Sequence, residues 1–291
     1  MELLTTGEVA RYLRLGERTV YDLAARGEIP CARLTGKLLF PRHLVDRWVE
    51  SRSTLPAGLT LAPPLILAGS SDPLLDWAVR ESECGLAQLV CGSGEGLRQM
   101  AEGGAMVAAL HLFDAGSGGY NVADARAAAI PGGVVLIHWA KRLQGLMVAR
   151  GNPLALGDLA DLARRRPRFL PRQQGAGSQR LFEQLLAGGG IEMSALNILP
   201  HPARSESDLA AAIAEGEADC GIGIAAVAAK AGLDFIPLAE EAFEIALRRR
   251  DFFEPPVQTL LNFAQSRRCR ERASQLAGYD IGNLGRVAAN L

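Results

Sequence analysis

Apolar residues recur at helical spacing three times within the first fifty positions. Val9, Ala10 and Leu13 form one stripe, preceded by Thr5-x-x-Glu8, whose spacing lets a hydroxyl and a carboxylate each satisfy a free backbone donor at a helix start. After Leu15-Gly16, Val20, Leu23 and Ala24 form a second stripe, closed by Gly27 in the position of a C-terminal cap, with Pro30 forbidding continuation. From Cys31 to Phe40 the pattern changes to short extended runs around Thr35-Gly36, predicting a small hairpin with Lys37 at its tip and Arg33 on its flank. Leu44, Val45, Trp48 and Val49 give a third amphipathic stripe that can pack on the first two. The prediction is helix, tight turn, helix, hairpin, helix. Arg18, Tyr21, Asp22, Ala25 and Arg26 fall off the buried stripe of the second helix, where a recognition helix carries its base-edge and phosphate contacts.

The stretch from Ser51 to Gly58 is rich in breakers and has no period, and Pro63-Pro64 closes it. We therefore expect a first domain over 1–52, a linker over 53–62 and a larger domain over 63–291. There, short apolar runs alternate with helical stripes: Leu65–Ala68, Leu86–Val90, Met106–Leu110, Val134–Ile137, Leu146–Val148, Phe169–Leu170, Cys220–Ile224 and Phe235–Pro237. Strands alternating with helices predict an α/β fold with largely parallel sheets.

In such sheets ligands collect beyond the carboxyl ends of strands, where helix N-termini point free N–H groups into a crevice. Three junctions stand out. In Ala68-Gly-Ser-Ser-Asp-Pro, Asp72 suits an N-cap and Pro73 the first helical position, leaving Ser70 and Ser71 at the mouth. Cys91-Gly-Ser-Gly-Glu-Gly places Ser93 and unhindered backbone before the stripe Leu97, Met100, Ala101. Gly-Ser loops before helices are also ordinary turn chemistry, so mere capping is the competing reading at both. The third, Arg172-Gln-Gln-Gly-Ala-Gly-Ser178, unites a guanidinium able to hold two anion oxygens, two amides, two glycines and a hydroxyl at a helix start. It is the strongest anion-site signal in the chain. The alternative is a surface ion pair for Arg172 with Gly175 and Gly177 shaping a turn.

Composition and charge narrow the classes. With 48% hydrophobic and 22% charged residues the chain is globular, and 31 Lys+Arg against 32 Asp+Glu give a net charge of −1, with no basic excess overall. By segment, 1–52 carries net +2 and the remainder net −3. No apolar run reaches the roughly 18 residues a spanning helix needs, and Met1 to Ala10 lacks the basic flank and apolar core of a signal peptide. A protein of the cytoplasm, with no membrane partner, is expected. Cys31, Cys84, Cys91, Cys220 and Cys269 are scattered, with no C-x-x-C pair and no zinc spacing, and are expected to be reduced. Gly92-x-Gly94-x-Gly96 is not G-x-G-x-x-G and no P-loop occurs, so no nucleotide cofactor is expected. Nor can a nucleophile, base and orienting group be assembled: Ser70 or Ser93 could pair with His111, but G-x-S-x-G is absent, and no enzyme activity is expected.

Two resemblances follow from these residues. LLTTGEVARYL followed by ERTVYDLAARGEIPCARLTGKLLFPRHLVDRWV resembles the winged helix-turn-helix of excisionase and MerR-like DNA-binding modules, over about residues 3–50. The resemblance implies that Arg18, Thr19 and Tyr21 approach the major groove of double-stranded DNA while Arg33, Lys37 and Arg42 touch phosphates. One such module offers few phosphate contacts, so a homodimer or higher homo-oligomer is expected. LILAGSSDPLL, GSGEGL, VAALHLFD, WAKRLQGLMVARGNP, RFLPRQQGAGSQRLFEQLL, AAAIAEGEADCGIGI and LDFIPLAEEAFEI resemble the periplasmic-binding-protein-like effector domains fused to helix-turn-helix modules in bacterial regulators. They are also similar to molybdate- and tungstate-binding proteins and to LysR-type effector domains.

This second resemblance implies two lobes with a ligand cleft between. The chain crosses near Leu146–Gly151 and returns near Phe235–Leu238, giving lobe one about 63–147 with 238–291 and lobe two about 148–237. Lobe one supplies Ser70, Ser71, Ser93 and His111; lobe two supplies Arg172, Gln173, Gly177 and Ser178, with Ser207 and Gly221 nearby. His111 reads equally well as a packed or capping residue. The third loop departs from the family's GSGTR, losing a hydroxyl at Ala176, and Asp208 adds a carboxylate that could instead cap its helix with Ser205. Both differ from a strictly molybdate-like site. The expected function is a transcription regulator responding to a small anion, such as molybdate, tungstate or a small carboxylate. The alternatives are a receptor for anion uptake or, more remotely, an enzyme acting on such an anion.

Overall fold

A computed structural model describes residues 2–34, 36–52 and 62–291. Thr35 at the hairpin tip and 53–61 of the expected linker lie outside the described residues. The chain divides into two compact units, Met1–Leu61 and Ala62–Leu291.

The first unit contains β1 (Leu3–Thr5), α1 (Thr6–Leu13), α2 (Glu17–Ala25), β2 (Ala32–Leu34), β3 (Lys37–Pro41) and α3 (Arg42–Arg52). At the start of α1 the Glu8 N–H donates to the Thr5 hydroxyl and the Thr5 N–H to the Glu8 carboxylate at 2.7 Å, which is the expected reciprocal cap. Gly27 closes α2 with φ +69°, a conformation open to glycine at little cost. Strand β1 is invisible in the hydrophobic pattern because three residues are too few to show a period. It pairs with β3, which also pairs with β2, in an antiparallel sheet of order β1-β3-β2. Val9, Val20, Ala24, Ile29, Phe40 and Val45 form the core, with Trp48 against it. Leu44 and Val49, expected to share that face, remain more than a third exposed.

The second unit begins with β4 (Ile66–Gly69), α4 (Pro73–Ser82), β5 (Ala87–Val90), α5 (Ser93–Ala101) and β6 (Val107–Leu110). A short hairpin, β7 (Phe113–Asp114) with β8 (Gly119–Tyr120), and α6 (Val122–Ala127) lead into β9 (Val134–Val148). Then follow α7 (Ala160–Arg165), β10 (Arg168–Phe169), α8 (Gly177–Gly188), β11 (Asn197–Ile198), α9 (Glu206–Ala214), β12 (Cys220–Ile224) and α10 (Ala225–Lys230). The chain ends with β13 (Asp234–Arg248), α11 (Pro255–Ala264), α12 (Arg267–Ser274), β14 (Tyr279–Asp280) and β15 (Val287–Asn290).

The sheet runs β11-β10-β12-β9-β13-β6-β4-β5, with β14 and β15 also on β9. Its two ends carry the expected parallel strands, β4 with β5 and β6, and β10 with β11 and β12. Between them β9 and β13 lie antiparallel to each other and to their outer neighbours. The apolar runs Val134–Ile137 and Leu146–Val148 thus belong to one 15-residue strand. Polar positions in its middle break the pattern without ending the strand, because each meets a partner: Arg142 stands opposite Glu241 in register. Strand β9 pairs with β12 from Gln144 onward and with β14 at Lys141 and Arg142.

Both faces of the sheet are buried, and β9 shows why period-2 alternation fails to mark a single inner face. Val135, Ile137 and Trp139 join one cluster with α4 and α11, while Val134 and Leu136 join another with α5. In the other half Leu146 and Val148 pack with α8, and Met147 packs with α9. Helix α5 lies directly on the end of β4: a Cβ on Gly96 would fall 2.5 Å from the Gly69 Cα, and Gly69 itself has φ +117°. Gly96→Ala should therefore push α5 off the strand and cost about 1–3 kcal/mol, read as a lower urea midpoint for the full chain.

Among the described residues no helix is long and apolar enough to cross a membrane, and no cluster of His, Cys, Asp and Glu is arranged to hold a metal ion. All five cysteines are free.

Candidate functional site

The junctions singled out by their chemistry converge on one cavity of about 120 Å³ in the larger unit. From the β4 side come Ser70 and Ser71, followed by the α4 N-cap Asp72, whose carboxylate accepts the N–H groups of Leu74 and Leu75 at 3.0 and 2.7 Å, with Pro73 at the first helical position. From the facing half come Arg172, Gln173 and Ser178, the last in the first turn of α8, and Ser207 in the first turn of α9. His111 closes the wall at the end of β6.

Arg172 dominates this lining. It is 8% exposed, its Nη2 donates to the Arg204 carbonyl at 3.3 Å, and its buried Nε and Nη1 have no partner. Burial pulls the guanidinium below its ordinary pKa, an effect Glu206 and Asp208 partly offset. A buried guanidinium with unfilled donors carries a desolvation cost. The buried Gln173 Oε1 also lacks a partner.

Three expected ligand residues do not line the cavity. Ser93 is fully buried behind Ser70, its hydroxyl 2.8 Å from the Ser70 hydroxyl and accepting the His111 N–H at 3.0 Å. Gly177 is a close-approach position, where a Cβ would sit 2.5 Å from the His111 carbonyl oxygen. Gly221 lies within β12, where a Cβ would strike Leu209 at 2.4 Å and the Leu170 carbonyl at 2.8 Å; it is a packing glycine. Asp208 caps α9 reciprocally with Ser205, at 2.9 and 3.0 Å.

Two groups of residues escaped sequence reasoning. Asp76 and Glu206 line the cavity; Glu206 sits beside Ser207, but nothing in its local pattern sets it apart. Behind the cavity lies a buried ionic cluster on the crossing strands. Arg142 donates through Nη1 to Asp72 at 2.9 Å and through Nε to Glu241 at 2.8 Å, and lies 4.1 Å from the centre of the Phe243 ring. Gln144 donates to Glu241, the Tyr279 hydroxyl donates to Asp72, and His111 Nδ1 stands 2.8 Å from Glu241 Oε2. The signal was available: an Arg and a Gln inside an apolar strand require buried partners.

Burial works against the charge of Glu241, but Arg142 and His111 outweigh it and hold the carboxyl at about 2. A carboxyl lowered on folding contributes stability that is present above its unfolded value and lost as pH falls toward the folded one. Unfolding free energy should accordingly be insensitive to this group above about pH 5 and decline between there and pH 2. Urea titrations across that range check this, with the decline diminished in Glu241→Gln.

In the smaller unit Arg18, Thr19 and Tyr21 are exposed along α2, Tyr21 by 53%. Tyr21, Arg33 and Lys37 line one groove between α2 and the β2–β3 hairpin, together with Glu17 and Asp22. Arg26 and Arg42 do not join it. Arg26 pairs with Glu28 at 3.0 Å, and Arg42 pairs with Glu2 at 3.0 Å and lies over the Tyr12 ring. Both guanidiniums are paired with carboxylates of their own unit and remain exposed, Arg26 by 57% and Arg42 by 46% of the side chain.

Comparison with known proteins agrees with this division. The sequence model for a helix-turn-helix domain matches residues 3–53, and that for the PBP superfamily domain matches residues 77–265. The chain is similar to the Bacillus subtilis protein YvgK, 26% identical over 300 residues, 97% of this chain and 96% of the relative. Among solved structures it resembles a putative phosphate ABC transporter substrate-binding protein with bound phosphate from Clostridium perfringens, at TM-score 0.55 and 11% identity over 72% of this chain and 96% of that one. It also resembles Corynebacterium glutamicum OxyR bound to hydrogen peroxide, at TM-score 0.50 and 15% identity over 90% and 88% of the two chains. At these identities the likeness is one of fold.

Proposed function

The chain belongs to the PBP superfamily, and from that premise we propose that it is a cytoplasmic transcription regulator. Residues 1–52 read DNA, and 63–291 sense a small oxyanion held between two lobes. The observation that carries this reading is Arg172, buried beside a small polar cavity with two guanidinium nitrogens unfilled, in a chain that also bears a helix-turn-helix domain. An anion there would draw donors from both halves: Ser70, Ser71 and His111 on one side, Arg172, Gln173, Ser178 and Ser207 on the other. Contacts from both sides favour the closed arrangement of the lobes over an open one, which is the differential affinity a ligand needs to shift a conformational equilibrium.

In the reader, Arg18, Thr19 and Tyr21 approach base edges in the major groove, while Arg33 and Lys37, on the wing, contact phosphates. Two phosphate contacts give weak binding at cellular salt, so the working species is a homodimer or higher homo-oligomer on a repeated site. Light scattering should give at least twice the 31.0 kDa chain mass at working concentration; a monomeric mass contradicts the repeated-site reading. The sensing half is tested by thermal unfolding of the full chain with molybdate, tungstate, sulfate, phosphate and small carboxylates. At 100 times its Kd the true ligand should stabilise the protein by about 2.7 kcal/mol. A flat response to the whole panel contradicts anion sensing.

A further inference from the structure

Charge in the larger unit is segregated along the chain. Residues 62–247 hold 14 Lys+Arg against 21 Asp+Glu, net −7, whereas 248–291 hold 8 against 4, net +4. Four of these eight arginines pair with a carboxylate: Arg248 and Arg250 with Asp251, Arg267 with Glu271, and Arg268 with Glu81. Arg270 on α12 and Arg286 just before β15 are different. Both are exposed, and their guanidiniums make no hydrogen bond or ion pair among the described residues. They line one groove of about 760 Å³ between α11–α12 and the turn that joins β14 to β15, together with Gln265 and Ser274. Asp280 lies on the same wall, where its carboxylate accepts the Gly282 N–H at 2.8 Å within its own turn.

An exposed guanidinium gains little from one small ion in water. Along a polyanion each such contact releases condensed counterions and adds to affinity, and arginine, serine and glutamine side chains are among those that meet the phosphates of a duplex. Resting on the DNA-binding reading above, we propose that the larger unit binds the DNA backbone through this groove, with Arg270 and Arg286 each neutralising a phosphate. These contacts carry no sequence information and add to those of Arg33 and Lys37. The acidic remainder of the unit repels a duplex, which leaves this face as the one a polyanion can approach.

The salt dependence of DNA binding by the full chain tests this. Each neutralised phosphate contributes about −0.9 to the slope of log affinity against log salt. The double variant Arg270→Gln, Arg286→Gln should therefore flatten the slope by about 1.8 per bound protomer and weaken binding about 30-fold per protomer at about 0.15 M salt, with affinities converging toward about 1 M. The loss should be equal on specific and unrelated duplexes. Arg270→Lys with Arg286→Lys, which keeps both charges, should restore most of the slope. Unfolding midpoint and anion binding should match the natural protein, because both side chains are exposed and lie outside the anion cavity. An unchanged slope in the glutamine variant overturns the proposal and leaves the groove to an acidic protein segment. A loss confined to the specific duplex also overturns it, since phosphate contacts cannot discriminate sequence. Failure of the natural protein to bind any duplex overturns the DNA-binding reading itself.

Discussion

Arg172→Ala is expected to reduce anion affinity by on the order of 100-fold or more, since two charge-assisted hydrogen bonds of about 1.5–3 kcal/mol each disappear. Basal DNA affinity should stay within about twofold, because Arg172 belongs to the unit that does not carry the helix-turn-helix domain. The substitution also separates a ligand role from a structural one. Nε and Nη1 of Arg172 are buried without a hydrogen-bond partner, and Nη2 bonds to the Arg204 carbonyl. Removing a buried, under-satisfied cation should leave the ligand-free protein as stable as before or more so. Calorimetry and urea unfolding of the same preparation give both quantities. Lost anion binding together with a large fall in ligand-free stability would identify Arg172 as a structural residue.

Arg142→Met is expected to act oppositely, lowering stability by about 3–5 kcal/mol, a large part of the roughly 5–15 kcal/mol that typically separates folded from unfolded domains. Arg142 is 1% exposed and neutralises Asp72 and Glu241, both as deeply buried. Without it two carboxylates remain in the interior with no cationic partner besides His111, held by the Tyr279 hydroxyl, the Gln144 amide and the N–H groups of Leu74 and Leu75. Replacing the whole charged set, with Asp72→Asn and Glu241→Gln added, should recover much of the loss, because each amide is neutral and the amide oxygen introduced by Asp72→Asn can still accept the α4 N–H groups. Unfolding midpoints of the single and triple variants decide it; equal midpoints would mean that the cost lies in lost packing on Phe243 and not in uncompensated charge.

The contrast between these two arginines marks where sequence reading succeeded. Arg172 stood out because it shares a short loop with glycines, amides and a helix-start serine, so local chemistry alone identified it. The serine junctions, the Asp72 cap with Pro73 and the Thr5–Glu8 cap were legible for the same reason: each is decided within a few residues. Arg142 was not legible because its partners lie 70 and 99 positions away, Asp72 at the cap of α4 and Glu241 opposite it on β13. The polar positions in its middle hid the unity of β9, and only the folded chain brings Glu206 into the cavity wall. Ser93 and Gly221 show the converse case, since neither lines the cavity. Both have the residue type of a ligand-binding loop, but one is consumed in positioning His111 and the other in admitting Leu209 against β12. Among the reader residues, net charge by segment located the basic unit, yet it could not show that Arg26 and Arg42 are paired with acids of their own unit.

The central claim is that an anion in the cavity of the larger unit alters DNA binding by the smaller one. It is tested most directly by titrating the full chain onto its upstream DNA at fixed ionic strength, with and without saturating phosphate, molybdate, sulfate or a small carboxylate. At least one anion should shift DNA affinity by about 5- to 150-fold, the usual range of coupling between two sites, and the shift should vanish in Arg172→Ala. Identical DNA affinity across the whole panel, with anion binding verified in the same samples, would contradict it.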